Sequence, residues 1–172
     1  INGKHMFLQG SPELTKKNGI FIGRLSGISA HNIPKLFIKN RMPTWETNCI
    51  EDWEEKVEKI IDETVGKKMT IIAGIPSWVQ MYFEKIITKQ QTSISKVFPD
   101  LSLYVYGGVS YEPYKIMFER LFGKKIDTLA TFPASEGFFG YQDEFTEKEP
   151  DLLLLLNNDI FYEFIKIFLI KI

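Results

Sequence analysis

The chain has 172 residues and a mass of 20.0 kDa, and its 44% hydrophobic and 14% aromatic content can fill a core, which excludes wholesale disorder. Its 21 Lys and Arg against 22 Asp and Glu leave a net charge of -1, which excludes the broad positive field of a nucleic-acid binder. One cysteine excludes an internal disulfide, and with two histidines it cannot build a four-ligand zinc cage of nitrogen and sulfur, so a reduced, cytoplasmic setting is expected.

Lys4, Glu13, Lys16 and Lys17 interrupt the first apolar residues, so no signal peptide is read there. Apolar runs at residues 4–8 and 19–25, separated by Gly10-Ser11-Pro12 and Lys16-Lys17-Asn18, predict two strands with turns between them. Pro34 and Pro43 flank Leu36-Phe37-Ile38 and predict a short helix and a loop. Asn48 followed by Glu51 reads as a variant capping box, and Trp53, Val57, Ile60 and Ile61 then recur at helical spacing. Glu54, Glu55, Lys56, Glu58 and Lys59 fall between them as a solvated face, with Glu55 and Lys59 placed to pair.

Residues 69–73 form a short β-branched run that predicts a strand covered on both faces, ending at Gly74. Pro76 opens the next helix, whose apolar stripe is Trp78, Val79, Tyr82, Phe83 and Ile86. A strand over residues 101–106 runs into Gly107-Gly108, a helix over 112–122 stops at Gly123, and a third strand covers 126–131. Strand, helix, strand, helix, strand is the order of parallel crossover units. The expected fold is α/β, a parallel sheet with crossover helices, plus a C-terminal β-hairpin of residues 151–156 and 160–167 around Asn157-Asn158-Asp159. Residues 160–172 carry Glu163, Lys166 and Lys171 and fall short of the ~20 residues that span a bilayer, so no membrane partner is expected. Ile1 at the start and the unclosed apolar run 167–172 at the end lead us to expect one α/β region belonging to a larger domain.

Ligands of open parallel sheets bind beyond the carboxyl ends of the strands. Three loops qualify: Gly74-Ile75-Pro76-Ser77, Gly107-Gly108-Val109-Ser110 and the segment from Phe132 to Gly137. The double glycine permits a tight turn and the close approach of a flat ligand such as a purine ring, or simply a strand exit at positive φ. Ser135 and Glu136 pair a hydroxyl with a carboxylate, suited to a phosphate and a magnesium ion; the plainer reading is a turn whose serine caps a helix. Trp78 belongs to a core stripe whose first turn, with Ser77, offers the wall of an apolar substrate site. Asp143, Glu144, Glu147 and Glu149 read as a solvated loop, and His5 and His31 have no partners at metal spacing. Cys49, beside the expected helix start, is placed for a lowered thiol pKa but has no histidine nearby in sequence.

The run Thr131-Phe132-Pro133-Ala134-Ser135-Glu136-Gly137-Phe138-Phe139-Gly140 resembles the auxin-responsive promoter, or Gretchen Hagen, family of acyl-acid amido synthetases. Gly107-Gly108-Val109-Ser110-Tyr111-Glu112-Pro113, Gly74-Ile75-Pro76-Ser77-Trp78 and Ile160-Phe161-Tyr162-Glu163-Phe164 look similar to segments of the same family. Phe132 stands where the family usually has Tyr, and Pro133 where it has a small or polar residue. The resemblance implies a piece of the large N-terminal domain of an adenylate-forming enzyme. Such an enzyme activates a carboxylic acid with ATP and magnesium, expels pyrophosphate, and passes the acyl group to an amine such as an amino acid. It further implies that Thr131, Phe132, Pro133, Ala134 and Ser135 line the adenine and α-phosphate, that Gly107, Gly108 and Val109 flank the adenine, and that Glu136 holds magnesium. Two other readings are an acyl-coenzyme A ligase and a non-catalytic α/β binding module.

Overall fold

The computed structural model describes residues 2–145 and 150–165. Among these described residues nine strands form in chain order: β1 (Lys4–Phe7), β2 (Thr15–Lys17), β3 (Ile20–Ile22), β4 (Arg41–Met42), β5 (Met69–Ala73), β6 (Leu103–Gly107), β7 (Asp127–Ala134), β8 (Gly137–Tyr141) and β9 (Leu153–Leu154). The helices are α1 (Leu25–His31), α2 (Lys35–Ile38), α3 (Trp45–Asn48), α4 (Trp53–Thr64), α5 (Pro76–Gln90), α6 (Ile94–Val97) and α7 (Lys115–Phe122), the last led by a 3-10 turn over Glu112–Tyr114. Seven strands make one sheet in the order β4-β1-β5-β6-β7-β8-β9, and β2 and β3 pair separately as an antiparallel ribbon turned at Asn18-Gly19. From β4 to β7 every neighbour is parallel, and β8 and β9 add antiparallel strands at one end.

This is the expected α/β fold, and its handedness explains how the helices are distributed. From β5 to β6 to β7 the chain steps in one direction, so right-handed crossovers put α5 and α7 on one face, and the step from β4 to β5 puts α4 there too. Met6, Ile72, Tyr104 and Ala130 project into that layer and are buried with Val57, Ile60, Ile61, Val79, Phe83, Phe118 and Phe122. Tyr104 stacks on Phe118 with centroids 5.1 Å apart, and Phe83 meets Phe122 edge-on at 5.5 Å. The buried Tyr82 and Thr64 hydroxyls share a hydrogen bond of 2.6 Å that ties α5 to α4.

Several local expectations are corrected. Asn48 does not cap α4: it ends α3, and Asp52 is the cap, accepting from the Glu55 N–H at 2.8 Å. Lys56 is not on the solvated face but buried, donating to the Asn48 carbonyl at 2.5 Å, because α3 packs against that side of α4. The expected Glu55–Lys59 pair does not form among the described residues; the α4 carboxylates that do pair reach across to α5, Glu54 and Glu58 meeting Lys85, and Glu58 and Asp62 meeting Lys89. β5 is not fully covered on both faces: Ile72 is buried against the helices, whereas Ile71 and Ala73 on the other face are half-buried. The connection from β1 to β4, residues 8–40 with the β2–β3 ribbon, α1 and α2, steps the opposite way, and it leaves Ile71 and Ala73 only half-covered.

β7 runs three residues beyond the expected Thr131, because Phe132, Pro133 and Ala134 pair with β8, with a register shift between Phe132 and Pro133. The C-terminal antiparallel hairpin is therefore β7–β8, extended by β9. Residues 160–165 form no strand, and 166–172 lie outside the described residues, as do Glu147 and Glu149 of the acidic loop. Among the described residues, no helix is long and apolar enough to cross a membrane.

Candidate functional site

Because β5, β6 and β7 are parallel, their three exit loops share one rim. Two glycines let those loops touch. A Cβ on Gly107 would lie 2.7 Å from the Thr131 carbonyl oxygen and 2.9 Å from Pro133 Cδ, so only a bare α-carbon fits between the ends of β6 and β7. Gly108 has φ +82, and a Cβ there would meet Ile75 at 3.2 Å, which brings in the loop after β5. Thr131 Oγ1 donates to the Tyr106 carbonyl at 2.8 Å, and the Tyr104 hydroxyl donates to the Gly74 carbonyl at 3.1 Å.

Between the loop after β6 and the end of β7 lies a cavity of about 510 Å³, walled by Gly108, Val109 and Ser110 on one side and Thr131, Phe132, Pro133 and Ala134 on the other. Tyr106 and Tyr111 form part of its wall, stacked with centroids 4.7 Å apart. Burial pushes the Tyr111 hydroxyl pKa upward, with Glu119 adding to the effect, so the phenol is neutral and able to donate. Val109 and Phe132 are each 50% exposed, so both present apolar surface to an incoming ligand. A volume in this range suits a small-molecule site with flat apolar walls and few polar groups. A second cavity of about 760 Å³ adjoins it, sharing Tyr106, Tyr111, Glu112 and Pro150.

The other expected site residues are placed differently. Gly107 packs β6 against β7 and does not line the cavity. Ser135 and Glu136 form the exposed turn between β7 and β8, one step beyond Ala134; no helix follows for the serine to cap. Ser77 is exposed and Trp78 half-buried in the first turn of α5, with Trp78 against Trp53 at 4.5 Å, and neither lines the cavity. Cys49 caps the C-terminus of α3 rather than opening a helix, and burial followed by the Glu13 carboxylate raises its thiol pKa, the opposite of the expected direction. Tyr106, Tyr111, Pro150 and Leu152 were missed as cavity residues. The alternation Tyr104-Val105-Tyr106 marks two same-face aromatics, but nothing local announces that Pro150 and Leu152 fold back to them.

Among the described residues, no three His, Cys, Asp or Glu side chains gather to hold a metal ion. Glu136 is a lone exposed carboxylate, which suits magnesium carried mainly by a ligand's phosphates and water rather than a protein-built cage. No family model matches this chain, and no curated protein matches it in sequence.

Proposed function

We propose that this chain binds ATP in the cavity between the loop after β6 and the end of β7 and contributes to activating a carboxylic acid as an acyl adenylate, which an amine such as an amino acid then captures. The observation that carries the reading is the apolar slot bounded by Val109 and Phe132 at the carboxyl end of a parallel sheet, on the segments that resemble the amido synthetases. Phe132 and Val109 supply flat surface to the adenine. In this reading Ser135 would donate to an α-phosphate oxygen and Glu136 would hold magnesium, both from the exposed turn one step beyond the cavity wall. Magnesium, when bound, neutralises charge on the phosphoryl oxygens.

Acid-dependent exchange of pyrophosphate into ATP, run against a panel of carboxylic acids, tests the reading. Trapping with amino acids, hydroxylamine or coenzyme A then separates an amido synthetase from an acyl-coenzyme A ligase. Glu136→Ala is expected to lower pyrophosphate release by about 10²-fold, the scale of losing one preorganised electrostatic group, with an unchanged melting temperature. Unchanged turnover at saturating magnesium removes Glu136 from the mechanism, and ATP binding without any exchange leaves a non-catalytic module.

A further inference from the structure

The net charge of -1 conceals two segregated surfaces. Residues 14–45, which run through β2, β3, α1, α2 and β4, hold Lys16, Lys17, Arg24, Lys35, Lys39 and Arg41 and no Asp or Glu, with Glu13 and Glu46 at their borders. Residues 143–165, around β9, hold seven acidic residues against one basic residue, Lys148, and their described charges are Asp143, Glu144, Asp151, Asp159 and Glu163. None of these six basic and five described acidic residues has a salt-bridge partner among the described residues.

Both surfaces are also apolar. Every residue of the β2–β3 ribbon is exposed, with Phe21 at 62%, and Leu36 of α2 stands 78% exposed. At the other end, Phe161 is 90% and Phe164 77% exposed. Lone exposed apolar residues are ordinary, but runs of them interleaved with one sign of charge mark interaction surfaces.

The sheet order decides who the partner is. β4 is one edge strand and β9 the other, so the segment that leads into β4 and the segment around β9 are anchored at opposite edges of the sheet, six strand spacings or roughly 29 Å apart. One copy cannot bring them together. We propose that copies of this chain associate head to tail, the basic apolar surface at the β4 edge of one copy seating on the acidic apolar surface at the β9 edge of the next. Such a heterologous contact leaves one surface free at each end and builds rings or open chains. Apolar burial supplies attraction, and opposite charge sets the polarity and excludes like ends.

Sedimentation of the purified 172-residue chain at increasing ionic strength tests this. At low salt the mass is expected to be at least double 20.0 kDa and to fall toward it as salt screens the contact. The decisive arm is a charge swap between one variant carrying Lys16→Glu, Lys17→Glu and Lys35→Glu and another carrying Asp151→Lys, Asp159→Lys and Glu163→Lys. Each alone lacks one of the two complementary surfaces and is expected to stay monomeric, while their mixture, which supplies the intact acidic surface of one and the intact basic surface of the other, regains association. Circular dichroism shows whether both variants are folded, and the salt series on the unaltered chain decides independently if one is not. A monomer at low salt, or association equal in every variant and indifferent to salt, overturns the proposal, the latter marking unspecific apolar aggregation.

Discussion

Phe132 lies on a strand paired through Gly140, yet half of its surface is open, so its ring has a backbone anchor and a free face. Phe132→Ala is expected to weaken ATP binding by about 1–3 kcal/mol, the range for base stacking on an aromatic, and Phe132→Tyr to be nearly neutral. Calorimetry with ATP, paired with thermal melting, checks this; a lower melting temperature with unchanged affinity would return Phe132 to a packing role. His5 is buried on β1, its Nε2 has no hydrogen-bond partner, and burial holds its imidazole pKa below the ordinary value. The unfolded chain therefore binds more protons than the folded one as pH falls, so ∂ΔG/∂pH is positive. Stability should be full above about pH 6.5 and decline as pH drops from there through the lower folded value. His5→Gln should flatten that part of the profile in denaturant titrations run across pH.

At the scale of elements, the site depends on how closely β6 and β7 leave the sheet together. Gly107→Ala would press a Cβ into the Thr131 carbonyl and Pro133, backbone and ring atoms that cannot rotate away. An overpacking cost of about 1–3 kcal/mol is expected in urea unfolding, and nucleotide affinity should fall with it because Gly108 and Val109 are displaced. Gly107 is thus needed for packing rather than for contact with a ligand, and Gly-Gly in a sequence does not distinguish these uses. The β7–β8 hairpin shows a similar limit. Phe132-Pro133-Ala134 reads as loop because proline suggests a break, but the register shift at Phe132 and Pro133 lets the strand continue past it.

For the whole molecule, one aromatic layer between the sheet and α4, α5 and α7 joins the parts. Phe83 contacts Tyr82, Phe118 and Phe122 at its centre. Phe83→Ala is expected to cost about 3–5 kcal/mol, and chemical denaturation followed by far-ultraviolet circular dichroism should show the sheet and helices melting together at the lower midpoint. The opposite sheet face, with Ile71 and Ala73 half-buried, contributes less to this core.

By itself the sequence determined the crossover units. Residues 69–73 match β5, Pro76 opens α5, Gly123 closes α7 at φ 67, and all of these are local signals carried by side-chain period and backbone preference. The segregation of charge was equally legible, but a net value of -1 averages it away. What only the tertiary structure decided were the matters of distance along the chain: that Lys56 is buried under α3, that Gly107 packs where Gly108 lines a wall, and that Pro150 and Leu152 close the cavity. The order β4-β1-β5-β6-β7-β8-β9, which sends the basic and acidic ends to opposite edges, belongs with them. Strand pairing is chosen by burial between residues far apart in sequence, and no local period encodes which strand becomes the neighbour of which.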